Sequence, residues 1–455
     1  MDLIPLSDEQ RADWDAFCQE SSDAWFWHET GWLDYTLAYR PEAKARSLSF
    51  LCREGKRVLA VVPLILEHSI EDGREVRKFS CGGMHLPAPA LADDLSAVQR
   101  DDLREKIFGV VDALAARFGV AHSLFRISVL TPWQIKPARP AGNYLLGHGF
   151  LDASITTRVL DLRLSEGELW DGARRNHRRN IENGRAALKS YIYAGAEAAG
   201  VKFDEYRAMH ALASGRVTRP ARTFELMREW LAAGRGCLAE VRDSSGRGVG
   251  YEVYMTHKGS SYGLSACNDP AVERVLPVRH LIEWETMLWM RARGTEFYEI
   301  GDQYFGTLPY DFPDAKKVSI SHFKYGYGGF TMPHLRAEKF HSREYWEVEQ
   351  ARRSALFARD YAWPSSDPAA AGELLKRIEK AERPAAAADA PISAEVQRMA
   401  GEIVAKNHSA VADFRAGGSK AVNFLVGQAM AAGGRGLDAK MVKRAIEFAL
   451  TQAAS

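Results

Sequence analysis

From Thr157 to Leu164 the sequence TRVLDLRL alternates apolar and polar residues as a half-buried strand does, and the elements after it repeat an order already present nearer the N-terminus. In the N-terminal part SLSFLCR and RVLAVVPLILEH read as two strands joined at Glu54, Gly55 and Lys56. A Pro- and Ala-rich loop, a long helix from about Leu95 to Phe118 and the apolar run SLFRISVL come next. After Thr157 comes a helix capped by Ser165, with Glu168 three residues on, then the hairpin CLAEVRDSSGRGVGYEVYM. The strand SSYGLSA, a helix from Pro277 to Arg293 and the strand EFYEIG complete the second series. Strands and helices interleave, so the fold class is α/β (α+β), and the repeated element order predicts a duplicated domain.

At 455 residues the chain exceeds one small core, and three units are expected. The stretch PSSDPAAAGELLKRIEKAERPAAAADAP, residues 364 to 391, reads as a helix followed by a flexible tether, which makes the tail a separate module. There apolar residues recur at helical spacing, broken at Gly417 and Gly418 and again between Gly433 and Gly436, so three short helices are expected. The tail carries eight basic against five acidic residues, whereas the whole chain is balanced at 60 against 59. Any nucleic-acid binding therefore has to come from local patches. Cys18, Cys52, Cys81, Cys237 and Cys267 form no CxxC pair and read as reduced thiols. No basic segment followed by an apolar run opens the chain, and nowhere do about 18 uncharged apolar residues stand together. A cytoplasmic protein without membrane insertion is the expectation.

Arg174, Arg175, His177, Arg178, Arg179 and Arg185 crowd one expected helix, whose period buries Trp170, Ala173, Ile181 and Leu188 and turns most arginines outward. Guanidinium forks grip phosphate or carboxylate at two points, which suits a polyanion; a solvated face paired with surface carboxylates is the alternative. In SACNDPAVERVLPVRHLIEWETMLWM a strand meets a helix, with Arg274 and Arg279 flanking the first turn and Pro277 suited to its first position. The free amides of such a helix end can take a phosphate or a carbonyl oxygen, although a plain strand-to-helix turn reads equally well. Further on, a strand ends near Gly301, a loop carries Asp302 and Tyr310, and HFKYGYGG is expected as a second strand and turn. Glu299 or Asp302 can orient an amine or take its proton, and Lys324 can stabilise charge developing on a carbonyl oxygen; ordinary structural roles for Glu299 and Lys324 stay open. No HExxH motif occurs, and no metal is expected.

These features fall in the order found in the Fem-like acyltransferases, the group containing the aminoacyl-tRNA-dependent transferases of peptidoglycan bridge synthesis and their acetyltransferase-like relatives. The sequence resembles that family in WDAFCQESSDAWFWHETGW (14 to 32) and in TTRVLDLRLSEGELWDGARRNHRRNIENG (156 to 184). It does so again in LIEWETMLWMRARGTEFYEIGDQ and HFKYGYGG. The resemblance spans roughly residues 5 to 345 and implies two tandem GNAT-like lobes, 1–155 and 156–345, with a cleft between them. It places Lys324, after Phe323, by the aminoacyl end of the donor, and turns Arg174, Arg175, Arg178 and Arg179 toward the acceptor or the donor's phosphates. Arg274, Arg279, Phe323 and Tyr310 complete the candidate substrate contacts. The chain lacks an obvious long coiled-coil insertion, which argues against a peptidoglycan precursor as acceptor.

After a helical extension and linker at 346–390, the small all-α C-terminal domain at 391–455 contains AVADFRAGGSKAVNFLVGQAMAAGGRGLDAKMVKRAIEFAL. It resembles the tail domain of the B subunit of tRNA-dependent amidotransferases (GatB) and the YqeY proteins. This implies tRNA binding, with Lys406, Arg415, Lys420, Arg435, Lys440, Lys443 and Arg444 as candidate contacts; a packing or oligomerisation domain is the alternative. The joint expectation is transfer of an aminoacyl group from charged tRNA to an amine, or a hydroxyl, of a small acceptor. Lys324, Glu299 and Asp302 would be catalytic. Aminoacyl-tRNA and a small-molecule acceptor would be the partners, without DNA and without a cofactor beyond the donor. The alternatives are an acyl-CoA-dependent N-acyltransferase, in which the turn from Arg274 to His280 takes the pyrophosphate, and a non-catalytic tRNA-binding adaptor.

Overall fold

Gly55 takes φ +60, a conformation that costs a residue without Cβ nothing, and lets Phe50–Glu54 fold back antiparallel on Arg57–Val62. The computed structural model describes residues 1–136, 142–360, 372–382, 391–418, 420–433 and 437–454, in two compact units, 1–361 and 362–455. The described residues of the first unit form three sheets. One has four strands, Asp2–Pro5, Phe50–Glu54, Arg57–Val62 and Ala90–Leu91. The second has seven and centres on His122–Arg126. The third, also of seven, runs in the order Lys189–Ala194, Gly236–Arg242, Gly248–His257, Ser260–Asn268, Phe297–Gln303, Ile155–Asp161, Phe330–His334.

The helix Ala97–Phe118 starts at Ser96, whose hydroxyl accepts from Gln99 N, and stops at Gly119 with φ +61. Ser165 and Glu168 form the expected capping box at the start of Glu166–Gly172. Strand Arg336–Phe340 leaves the third sheet and pairs with His122–Arg126 of the second, so the chain's second half completes the first half's sheet. The halves also share one core. Phe26 packs on Trp230 with ring centroids 5.0 Å apart, Trp27 on Tyr262 at 5.2 Å, and Trp25 Nε1 donates to His257 O at 3.0 Å. Aromatic burial of this kind is worth several kcal/mol, on the order of 3–5 per ring removed, and fixes the halves as one body.

Three expectations are corrected. HFKYGYGG is not a strand: Ala315–Tyr325 is a helix, because Asp314 caps it by accepting from Lys317 N at 2.7 Å. Gly328 and Gly329, at φ +81 and +71, then turn the chain into Phe330–His334. The arginine-rich stretch is two helices, Glu166–Gly172 and Arg175–Ala187, since Arg174 N donates to Gly326 O at 2.8 Å and draws residues 173 and 174 into extended geometry. Among its described residues the tail has four helices, not three: Ala394–Lys406, His408–Arg415, Lys420–Gly433 and Ala439–Ala454. Asn407 breaks the first run, its amide donating to Ile403 O and Gln428 Oε1. Val404, Leu425, Val442, Ile446 and Leu450 fill the core of this unit. Among the described residues no helix is long and apolar enough to cross a membrane.

Candidate active site

Two neighbouring parallel strands part company in the middle of the third sheet. Ser260–Asn268 and Phe297–Gln303 share only the rungs Ser260 to Phe297, Ser261 to Tyr298 and Tyr262 to Glu299. Just beyond, each is bulged against its outer neighbour, between Val253 and Tyr254 on one side and between Arg158 and Val159 on the other. The bulges bend the strands apart, leaving a fork whose facing peptide groups lack ladder partners. Gly301 lies in the fork at φ +111, and a Cβ there would sit 2.7 Å from Lys324 Nζ. The helix Ala315–Tyr325 carries Lys324 to this point, where Nζ donates to Asp302 O at 3.0 Å. Burial lowers the Lys324 ammonium, against the pull of Asp302 and Glu299.

The two carboxylates differ sharply. Glu299, 3% exposed, accepts from Thr157 Oγ1 at 2.7 Å, and burial followed by Asp302 pushes it up to about 7. Burial acts on Asp302 too, but Arg336 and His334 outweigh it and hold the carboxyl well below the usual range. His334 Nδ1 lies 2.7 Å from Asp302 Oδ1, Arg336 pairs with Oδ2, and Tyr304 OH donates to Oδ2 at 3.1 Å. Burial pushes His334 down to about 4, so at neutral pH its ring donates uncharged. Asp302 is thus a fixed anion and Glu299 a carboxyl poised to exchange a proton. The ligand atoms of Glu299, Asp302 and His334 lie within 4.8 Å of one another, a spacing that a cation would fit, and Arg336 and Lys324 already supply positive charge there.

The other sequence candidates scatter. Arg174, Arg175 and Arg179 are exposed and have no carboxylate partner among the described residues; Arg178 reaches Asp171 at 3.4 Å. Arg174 lies 4.5 Å over the ring of Tyr325, the residue after Lys324, so this cationic face adjoins the fork. Arg274 is exposed. Arg279 is not free to hold a phosphate as expected: its Nη2 donates to Glu252 Oε1 at 2.8 Å and Glu283 Oε1 at 2.6 Å. Its backbone N–H donates to Glu273 Oε2 at 3.2 Å, so the chain's own carboxylate occupies the amide end of the helix Val278–Ala292. Burial pushes Glu273 and Glu252 each up to about 7. Phe323 packs on His280 at 4.9 Å and gives its carbonyl to His177 Nε2, whereas Tyr310 OH donates to Ser154 O at 2.8 Å. Tyr310 lines a cavity of about 1100 Å³ that also reaches Tyr304 and Arg336.

In the tail Lys406, Arg415, Lys420, Lys440 and Lys443 are exposed and Arg444 is half-buried; Arg435 lies outside the described residues. Arg415 donates to Ala453 O, and Lys443 stands 3.9 Å from Glu447. Sequence reasoning missed Thr157, Tyr304, His334, Arg336, Glu252 and Glu283. Only Glu283 carried a local sign, four residues after Arg279 on one helix.

Comparison with known proteins agrees with this architecture. Residues 389–450 match the family model of the GatB domain. The solved structure of FemX superposes at a TM-score of 0.53 and 12% identity, over 77% of this chain and 100% of that one. Weaker likenesses include L-PGS from Bacillus licheniformis, at 0.43 and 11% over 71% and 96% of the two chains. A tandem GNAT protein from the clavulanic acid biosynthesis pathway stands at 0.40 and 13% over 74% and 98%. No curated protein matches the sequence. The chain thus joins a body with the fold of FemX to a tail similar to the GatB domain.

Proposed function

We propose that the protein is an aminoacyltransferase that moves an aminoacyl group from charged tRNA to an amine, or a hydroxyl, of a small acceptor. The acceptor's lone pair attacks the ester carbonyl in the fork, where the Lys324 ammonium faces the developing oxyanion. Glu299 takes the proton that the attacking amine loses, its midpoint near 7 suiting a base at neutral pH. The ester C–O bond breaks as the amide forms, or a new ester where the acceptor is a hydroxyl, and the proton held by Glu299 passes to the departing oxygen, so that the tRNA leaves as its 3′ alcohol. Asp302, held ionised by Arg336, keeps Lys324 charged and in place.

One observation carries the choice of donor. The turn that would take the pyrophosphate of an acyl-CoA is filled by Glu273 on the Arg279 amide, and the Arg279 guanidinium is neutralised by Glu252 and Glu283. Of the exposed cations Arg174, Arg175 and Arg179, Arg174 lies over Tyr325 and the other two follow it on the helix Arg175–Ala187, where a polyanion entering the fork would meet them. The GatB-like tail, with its exposed lysines, supports the same donor. A cytoplasmic location goes with that donor.

The test is binding of charged tRNA across a salt series, beside a coenzyme A titration. Tight binding that weakens with salt is expected. Replacing Arg174, Arg175 and Arg179 together by Ala lowers the slope of log affinity on log salt by about 2–3, since each phosphate contact contributes about 0.9. Saturable coenzyme A binding without tRNA binding would overturn the reading.

A further inference from the structure

We propose that the large cavity beside Asp302 and Arg336 takes the acceptor as an ammonium-bearing small molecule, a primary amine or linear diamine, and rejects a phosphate-linked one. The proposal rests on the reading that this chain acylates a small acceptor. It names the chemistry of that acceptor.

The cavity, about 1100 Å³, runs along one face of the second sheet. His122 is paired with Phe340 and Arg126 with Arg336, so from Arg336 to His122 the face runs four residues, roughly 13 Å at about 3.3 Å per residue. An anionic ligand would need free cations along that length, and the inner ones are taken. Arg336 pairs with Asp302, Lys78 with Glu71 at 2.5 Å, and Arg353 with Glu338 and Glu349 at 2.6 Å each. The rim arginines, Arg74, Arg77 and Arg352, face Glu344, Glu75 and Glu349 at 2.6, 3.3 and 2.7 Å. Among the described acidic lining residues, only Asp72 and Asp311 form no ion pair within 4.0 Å, and Asp311 still lies in the field of Lys317 and Arg336. Asp311 is 8% exposed, and its carboxylate accepts only from backbone amides, those of Gly306 at 3.3 Å and Phe305.

A second feature asks for a donor. His122, 3% exposed, also lines the cavity, and its Nε2 is engaged with Glu338 Oε2 at 3.0 Å. Bonding to a carboxylate fixes the proton on Nε2 and leaves Nδ1 a bare acceptor, which has no partner in the structure. His85 Nε2, on the same lining, is likewise buried without a partner. Tyr304, Tyr310 and Tyr345 supply aromatic walls, whose faces attract an alkylammonium. Carboxylates without an ion pair, the bare Nδ1 of His122 and the tyrosine rings together match an N–H-rich cation better than a phosphate.

The test is calorimetric titration of the whole protein, without tRNA, by 1,5-diaminopentane, its mono-N-acetyl form and uridine diphosphate, with Asp311→Asn and Asp72→Asn as variants. The diamine is expected to bind most tightly, and uridine diphosphate should neither bind in the cavity nor displace it. Loss of a charge-assisted bond in Asp311→Asn should weaken the diamine by about tenfold or more. Asp72→Asn, on the surface, serves should Asp311→Asn fail to fold, and should show a smaller loss in the same direction. Uridine diphosphate competing with the diamine, equal diamine affinity in the variants, or no diamine binding at millimolar concentration would each overturn the proposal. Because no donor is present, these outcomes are independent of whether the protein binds tRNA.

Discussion

Replacing Glu299 by Gln keeps the side chain's size and its acceptor for the Thr157 hydroxyl while removing the titrating proton. Burial, then Asp302, puts the carboxyl's midpoint near 7 in place of an ordinary 4.5. Between those two values the folded chain holds a proton that the unfolded chain has released, so the wild type loses stability as the pH rises across that window. At about 1.4 kcal/mol for each tenfold in proton affinity, the loss reaches about 3 kcal/mol above about pH 7 and vanishes below about pH 4.5. The Gln variant never bears that charge. Urea denaturation at about pH 5 and about pH 8 is the assay: the variant's stability relative to wild type should improve by about 2–3 kcal/mol between the two. Its transfer rate should fall by roughly 10²- to 10⁴-fold, as expected for loss of a general base. A gap that stays constant with pH, or a variant that weakens at high pH, would show that Glu299 carries its charge without strain and is no base.

Lys324→Met keeps the chain's bulk in the fork and removes the ammonium that faces the oxyanion; kcat should drop about 10²- to 10³-fold with the melting temperature little changed, and an unaltered rate would remove Lys324 from the chemistry. Gly301→Ala meets two obstacles, a φ of +111 and the 2.7 Å approach to Lys324 Nζ. It should cost on the order of 1–3 kcal/mol in denaturation and lower the rate as well, whereas an active and equally stable variant would contradict the close packing of the fork.

What the sequence made legible was mostly local. Ser96 and Ser165 announce helix starts because a cap and its partner stand three residues apart, and Gly55 announces a hairpin because few residues reach its φ. Periodicity marked the tail as helical but missed the break at Asn407, so it gave three helices where the described residues form four. The aromatics of HFKYGYGG favour a strand by composition, while Asp314, outside that segment, caps a helix that runs to Tyr325, and the paired glycines turn the chain after it. Lys324, Glu299 and Asp302 lie together in the structure, yet the groups that set their charge states left no sign in the sequence. Arg336 reaches Asp302 only because its strand crosses into the other sheet, and Thr157 reaches Glu299 across an antiparallel pair 142 residues apart in sequence. Arg279 looked like an open guanidinium for the same reason: Glu252 lies on a strand, 27 residues back.

The most direct measurement is transfer itself. Bulk tRNA charged with labelled amino acids is incubated with the protein and a mixture of small amines, and labelled amide is tracked beside parallel reactions with labelled acyl-CoA and with Lys324→Met. The account expects amide from charged tRNA, lost in the Met variant, and none from acyl-CoA. Amide formed from acyl-CoA while charged tRNA stays inert would contradict it.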